Sequence, residues 1–589
     1  MSVRYVAVNW NRQKRLYDTV LAVAVIGCLA LFTAGPLAAH PGATLETALI
    51  RGLGFTAFLL LNLILAIGPL ARLDRRFLPL LYNRRHLGVT LGLLGIGHAI
   101  FVVFQYHALG NVDPLVSVLV SNPDVGSIAA FPFELFGILA LIIVLLMAAT
   151  SHDYWLSALT PPTWKRLHML VYLAYVAVIL HVGLGLLQDE RHPVYLFALV
   201  ASVLTIGGLH VWAGRRERLG DRLPRPGADW VDVGSAGEIA EGRAIVGAVA
   251  GERVAVFRHE GRLSCVSNVC KHQNGPLGEG RIIDGCITCP WHGYQYRPDS
   301  GTSPPPFNDS IPTFNLAVAA GRVLVDPRPN PPGTRVEPVP APRSDGADAD
   351  EFYVGYQAAA PPGIARFSRA SVAAIVLFAL ALVGGFALAQ RSFHPAGFDY
   401  GSNSTVVGVV RANPYPVLEV PRAGQASGVS RYLLAAAGKR GAQVAGLDGR
   451  LVRATGPLAY RGNLTVLEIA STEAIDSAVP PAGTPVSVGS FGLVGEIVDS
   501  KCYGGVMSPG EGKTHRACAA RCLSGGLTPL LVVQDSAGAR LEMVVLDRQG
   551  RPFAEAHRWA GRPVSLRGQV SRLDDLWFVR VEGSLEAIR

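Results

Sequence analysis

The chain has 589 residues, enough for three or four domains of ordinary size. Half of the residues are hydrophobic and only 16% are charged, where a soluble protein carries about a quarter, so a wholly soluble enzyme is excluded. The formal net charge of +9 does not point to nucleic acid, because the basic residues sit in short loops between apolar runs and form no patch interleaved with aromatics.

Apolar runs of near-spanning length lie at 17–38, 50–71, 87–105, 132–150, 168–187, 194–213 and 370–389. A bilayer core about 30 Å thick needs about 20 helical residues, so each run predicts a membrane helix. The first ends in Ala-Ala-His, which resembles a signal-peptide cleavage site, but it is long for a signal core and reads as an uncleaved helix. Residues 17–213 then form an all-α bundle of six helices in the lipid bilayer. Arg72, Arg75, Arg76, Arg84 and Arg85 precede the third helix, Lys165 and Arg166 the fifth, and Arg215, Arg216, Arg218 and Arg222 follow the sixth. Loops 39–49 and 106–131 carry no Lys or Arg. The positive-inside bias puts residues 1–16, loop 72–86 and everything just after Arg215 in the cytoplasm of a bacterial inner membrane.

Ionisable residues inside a membrane are functional candidates, because burying them in lipid costs several kcal/mol. His86 and His98 lie on the third helix and His168 and His181 on the fifth. The two spacings correspond to about 18 and 20 Å of helix. Two bis-histidine haems stacked across the bilayer follow, His86 with His168 inside and His98 with His181 outside. Gly95 and Gly97 are expected to let a porphyrin approach. Steps of 12 and 13 residues rotate a side chain by about 120° and 140°, so either some helix distortion is required or one ligand of a pair is wrong, His107 or His192 completing a different pair. His107 and His192 are expected at the surface, and Cys28 in apolar packing.

Residues 229–327 read as an all-β domain of short strands. Within it, Cys270-Lys271-His272 is followed after sixteen residues by Cys289-Pro290-Trp291-His292-Gly293. Two thiolates hold one iron of a [2Fe–2S] cluster and two neutral imidazoles the other, raising the potential above that of an all-cysteine cluster. A zinc site could use the same four residues. Pro290, Trp291, Gly293 and the Pro304-Pro305-Pro306 loop resemble the Rieske ferredoxin-like family over about 100 residues. That resemblance implies a lower-potential type, since Gly275 and Trp291 stand where high-potential members carry a disulfide. Cys265 and Cys286 lie outside the ligand pattern and read as thiols in a reducing cytoplasm.

The segments Arg84-Arg85-His86-Leu87-Gly88…His98 and Lys165-Arg166-Leu167-His168…His181 resemble the ferric reductase-like transmembrane family, closest to the haem-binding subunits of methionine sulfoxide reductase systems. The resemblance covers roughly 50–213. It implies haem b, with His98, His168 and His181 matching the family's positions and His86 departing from them. Many members add FAD and NAD(P)H domains; no Gly-rich dinucleotide loop occurs in a strand–turn–helix context here.

Residues 328–368 are Pro-rich and predict an extended linker. The seventh helix, 369–389, carries the rest of the chain to the periplasm. Gly449 and Leu464 recur as Gly561 and Leu576 in two alternating apolar–polar stretches offset by 112 residues. This predicts two β modules of OB-like form, 400–478 and 486–589. Cys502, Cys518, Cys522 and His515 occur only in the second. If 515–522 is helical, the last three of these in sequence share a face; they form either a Cys₃His metal site or one disulfide with a spare thiol. Absence of Cys-x-x-Cys-His argues against covalent haem.

The expected function is transmembrane electron transfer, from a cytoplasmic reductase or ferredoxin through the cluster and haems to a periplasmic redox protein. The alternatives are a terminal ferric or small-molecule reductase at the outer haem, and a membrane redox sensor. A Rieske oxygenase is disfavoured, because no mononuclear-iron domain follows the cluster motif.

Overall fold

The computed structural model describes residues 12–588 except 40–43, 83, 123, 127, 129, 152–154, 156–158, 160, 191, 221–229, 345–351, 355–359, 391–394 and 423–427. Most of the expected N-terminal segment 1–16 lies outside the described residues, as do His40, Arg222 and parts of the expected linker.

Each of the seven apolar runs is helical: α1 (Arg12–Ala39), α2 (Leu45–Leu73), α3 (Arg84–Val102), α4 (Glu134–Ala149), α5 (Pro161–His168) followed by α6 (Val171–Leu184), α7 (Pro193–Gly220) and α8 (Pro362–Leu388). Among the described residues, six helical stretches are long and apolar enough to cross a membrane, 163–189 counted as one. Helix α4, with 16 residues, is shorter, about 24 Å. Helix α2 starts where the sequence supplies a cap: Thr44 Oγ1 accepts from the Thr47 backbone N–H. Its Leu60, Leu61, Ile64 and Leu65 pack against Leu87, Leu91 and Leu94 of α3 and Ala174 and Tyr175 of α6. Cys28 is buried in packing, beside Phe32, Val383 and Phe386.

The distortion that the histidine spacing demands is present in one of the two helices. Met169 and Leu170 form a turn between α5 and α6, so His168 and His181 sit on separate helices. Helix α3 is unbroken between His86 and His98, and those side chains leave it about 120° apart.

The β domain holds a five-stranded sheet and two three-stranded sheets, the smaller of which comprises Arg281–Ile283, Cys286–Thr288 and Gln295–Tyr296. Residues 328–344, expected as the start of a free linker, pack back onto this domain. Val339–Pro340 pairs with Arg262–Ser267, and the Pro342 carbonyl accepts from Arg258. Prolines that cannot donate to a ladder are placed here on a sheet edge.

The C-terminal part forms two β modules of matching strand order. In the first, Ser404–Arg411, Val417–Pro421 and Val429–Ala435 are consecutive antiparallel neighbours. Val429–Ala435 pairs in parallel with Leu464–Glu468, which pairs with Leu458–Arg461; Leu451–Gly456, just before it, returns to Ser404–Arg411. In the second, Val486–Asp499, Pro529–Gln534, Arg540–Leu546, Leu576–Val581 and Pro563–Leu573 close the same circuit, again with one parallel pair. The modules differ between their first two strands. Five residues, 412–416, join them in the first, whereas 500–528 intervene in the second and include α9 (Arg516–Ser524).

The β domain and the C-terminal modules cap opposite ends of the bundle. At one end of α2, the Arg72 guanidinium lies 5.6 Å from the Trp291 ring centroid. At the other, Thr47 donates to the Ser508 carbonyl. Acidic residues of two bundle loops meet the second module there. Asp124 pairs with Arg562 at 2.8 Å, and the Asp189 carboxylate accepts from the Lys513 and Thr514 backbone N–H groups at 3.1 and 3.0 Å. Helix α8 runs the length of the bundle, from Phe367 against Phe77 to Gln390 beside Arg51.

Candidate redox centres

The two ligand loops of the β domain converge. Cys270 and His272 follow the strand ending at Ser267; Cys289 and His292 form the turn between two strands of the small sheet, closed by Cys289 N–H donating to the Tyr294 carbonyl at 2.8 Å. The His272 and His292 rings meet edge to face, 4.7 Å apart. The His292 Nδ1 atom is buried without a hydrogen-bond partner among the described residues. Burial opposes ionisation of Cys270, but hydrogen bonds from Cys289, Tyr296 and the backbone at 272 and 273 hold its thiol below the usual range. Burial holds His292 in its neutral form, the form that ligates metal. This donor set fits a two-thiolate, two-imidazole cluster. Gly275 leaves the space: a Cβ there would lie 2.7 Å from Cys289 Sγ and 3.1 Å from the Trp291 ring. Gly275→Ala should therefore lower cluster occupancy severalfold, read as EPR signal per chain. Cys265 and Cys286 are unpaired thiols, the first buried and the second half-buried.

Sequence reading missed Tyr296. Its hydroxyl lies 3.6 Å from Cys270 Sγ and accepts from Lys271 N–H at 3.0 Å, which leaves its proton for the sulfur. Hydrogen bonds to cluster sulfurs tune the potential. One worth about 0.5–1.5 kcal/mol corresponds to about 20–60 mV for a one-electron couple. Tyr296→Phe should lower the reduction potential by that amount in an EPR-monitored titration.

In the bundle, His98 and His181 face each other with ring centroids 6.3 Å apart and planes at 87°. Two imidazoles bound trans to one metal at about 2.0 Å have centroids about 6 Å apart. The Nδ1 atoms are occupied, His98 with the Ile50 carbonyl at 2.9 Å and His181 with the Phe133 carbonyl at 3.0 Å. That leaves both Nε2 atoms available to a ligand, with carbonyls fixing the rings in the way that suits a metal-binding histidine. Gly54 and Gly137 make room: a Cβ would lie 3.2 Å from the His98 ring and 2.8 Å from His181 Nδ1. Gly95 and Gly97, expected to face the porphyrin, instead face Leu141 and Leu53.

The inner histidines are not in ring contact among the described contacts. His86 Nδ1 lies 2.6 Å from Asp18 Oδ1, with Tyr17 edge-on. His168 Nδ1 is bonded to the Trp164 carbonyl, and its buried Nε2 has no partner among the described residues. Trp164, also missed, stacks on His168 at 3.8 Å and lies 6.2 Å from the His272 ring at a 26° interplanar angle. It thus stands between a cluster ligand and a bundle histidine. Its place four residues before His168 was visible in the sequence; the β domain against its other face was not. His192 is exposed, as expected. His107 is instead 2% exposed and bonded to Ser117 Oγ, because the C-terminal modules cover that end of the bundle.

Two family models match the chain: the ferric reductase-like transmembrane component over residues 53–179, and the Rieske [2Fe–2S] domain over 229–315. The chain is 30% identical over 214 residues to the protein-methionine-sulfoxide reductase heme-binding subunit MsrQ of Caulobacter vibrioides, covering 93% of that protein and 35% of this chain. It is 33% identical over 104 residues to the ferredoxin component of the alkene monooxygenase system of Xanthobacter autotrophicus, covering 85% of that protein and 18% of this chain. The chain belongs to the ferric reductase-like transmembrane family and carries a Rieske [2Fe–2S] domain. A third relative, the magnetosome protein MamZ of Paramagnetospirillum magneticum, is 28% identical over 164 residues, 24% of its length. This Rieske-bearing ferric reductase-like protein is a multi-pass membrane protein with electron-transport features.

At its far end, the 500–528 insertion gathers the remaining predicted residues. Cys502, Cys518, Cys522 and His515 are all buried, in the core between the two β modules. Cys502 and Cys518 lie 3.9 and 4.0 Å from Cys522, sulfur to sulfur. His515 Nε2 is 3.0 Å from Asp499 Oδ2.

Proposed function

We propose that the protein conducts electrons across the bacterial inner membrane, from a cytoplasmic donor at the Rieske domain to a periplasmic acceptor at the C-terminal modules. The observation that carries this reading is the continuity of aromatic rings from His272 through Trp164 to His168, with His98 of α3 and His181 of α6 facing each other deeper in the bundle. Opposite capping of α2 by the Rieske and C-terminal parts supports opposite sides for the two partners, and α8 as a seventh span supports it further. The positive loop residues Arg72 and Arg76 lie at the Rieske end, which supports a cytoplasmic Rieske domain.

Bound in these sites, a [2Fe–2S] cluster and b-type haem supply one-electron chemistry; the chain's own contribution is placement and tuning. His98 and His181 hold one haem through Nε2. For a second haem, His168 offers its buried Nε2, and His86, anchored to Asp18 through Nδ1, offers its own. The strand circuits of the C-terminal modules, five strands closed with one parallel pair, support two OB-type barrels. On the rim of the second, Arg516, Arg521, Arg558 and Arg562 line a cavity of about 480 Å³, suited to an acidic acceptor.

The test is vectorial transfer in proteoliposomes. Full-length protein is oriented with its Rieske domain outward and reduced from outside by a ferredoxin. Entrapped ferricyanide should be reduced by the wild type and not by His98→Ala. Equal rates in the two, or in protein-free vesicles, overturn the reading.

A further inference from the structure

The 500–528 insertion has no counterpart in the first β module, and its buried cysteines have no part in the electron route described above. We propose that Cys502, Cys518, Cys522 and His515 bind a single thiophilic metal ion, Zn²⁺ or Cu⁺, in a closed four-coordinate site.

The sulfur spacing is the first argument. Cys522 Sγ is 3.9 Å from Cys502 Sγ and 4.0 Å from Cys518 Sγ. Ligands at about 2.3 Å from a tetrahedral ion lie about 3.8 Å from one another. Cys502, His515 and Cys518 also present ligand atoms within 4.8 Å of one another.

The histidine is the second. His515 is fully buried; Asp499 holds its Nε2 at 3.0 Å, and its Nδ1 is buried without a hydrogen-bond partner among the described residues. A carboxylate on one imidazole nitrogen with the other left for metal is the usual outer-shell arrangement of a bound ion. Asp499 also accepts from the Cys502 backbone N–H at 2.8 Å, so one carboxylate fixes two ligands. A disulfide between any two cysteines would leave the third thiol and the Nδ1 atom unsatisfied in a buried core, where an unmet polar nitrogen is destabilising. One ion satisfies all four donors, the three thiols releasing their protons as it binds. Met507 Sδ, 3.4 Å from Cys518 Sγ, adds to the soft character of the surroundings.

The site also has a fixed place relative to the bundle. Helix α3 continues into a wider turn, Val103–His107, whose Tyr106 packs into the same core as Cys518. Tyr106 follows His98 by about 12 Å of helix. The ion would therefore lock the C-terminal modules onto the outer end of the histidine-bearing helix.

The experiment is metal analysis of the full-length protein purified in detergent without added chelator, with haem counted optically and cluster iron by EPR. The expected result is about one equivalent of zinc or copper per chain, the metal found deciding between the two ions. Peptides spanning 502–522 should show three free thiols after denaturation with an alkylating agent. Asp499→Asn, which keeps all four donors, should weaken retention against a competing chelator about 10–100-fold. Cys518→Ser should abolish the equivalent without altering cluster EPR or haem absorbance. The proposal is overturned if the wild type carries no zinc or copper, if those peptides carry a disulfide, or if Cys518→Ser retains the full metal content. Because the wild-type measurements decide alone, misfolding of a variant does not obscure the answer.

Discussion

Replacing His98 or His181 with alanine should remove one b-type haem per chain and leave the Rieske EPR signal unchanged. The two rings are already at the separation that a shared metal imposes, 6.3 Å between centroids. Two backbone carbonyls, of Ile50 and Phe133, hold their Nδ1 atoms, so neither imidazole has to reorganise to bind. Loss of either histidine would remove one of the two side chains that would hold the haem, a larger effect than the 10–100-fold that follows from disturbing an outer-shell partner. With a second haem at His86 and His168, the absorbance per chain should fall by about half in either variant. The double variant should fall no further, since both residues serve one site. Gly137→Ala should have an intermediate effect, because its Cβ would press on the ring of His181 rather than delete it. Full haem content in both single variants would remove the pair from the electron route.

Legibility in the sequence followed how local each signal is. The Rieske ligands sit in two short loops whose spacing is set by one small sheet, so their chemistry is readable without any tertiary knowledge. The apolar runs mark their helices because lipid-facing length is a one-dimensional property. The offset of 112 residues found the strands Leu451–Arg461 and Pro563–Leu573 and those after them, since these alternate apolar and polar positions. It could not find where each circuit closes. The first strand of the second module is separated from its repeat register by the 500–528 insertion, and closure depends on pairing between residues remote in sequence, such as Leu493 with Leu566.

What stayed hidden depends on contacts between segments remote in sequence. Met169 and Leu170 carry no breaker signal, yet the turn between α5 and α6 lies there. Gly54 and Gly137 look like ordinary membrane-helix glycines until the imidazoles of other helices are placed against them. Gly95 and Gly97, adjacent to His98 in sequence, point to other helices, because proximity along a chain is not proximity around a helix axis. His107 looked exposed because its cover, the C-terminal modules, begins about 290 residues later; Lys439 donates from there to the carbonyls of Ala108 and Leu109.

Trp164→Leu should slow electron exchange between the Rieske domain and the bundle at least tenfold, equivalent to about 1.4 kcal/mol of barrier, with both cofactor spectra intact. The indole stacks on His168 at 3.8 Å, and its plane lies within 26° of that of His272 at 6.2 Å. It is held in that plane by its Nε1–H, which donates to the Thr150 carbonyl at 2.9 Å. Leucine fills much of the same apolar space but has no π system, so the aromatic contact between the two histidines becomes a saturated one. Trp164 itself supplies none of the proposed ligand atoms. Cluster occupancy and haem content should therefore hold, which separates a conducting role from a structural one. Trp164→Phe, which keeps a ring but loses the Thr150 hydrogen bond, should retain most of the rate. Stopped-flow absorbance at haem wavelengths, after reduction of the Rieske domain by a ferredoxin, reads the step directly. A Trp164→Leu protein that reduces haem at the wild-type rate would mean that electrons enter the bundle elsewhere. The nearest other aromatic contact at this interface is Trp291 beneath the Arg72 guanidinium, and the same measurement on Trp291→Leu would then test it.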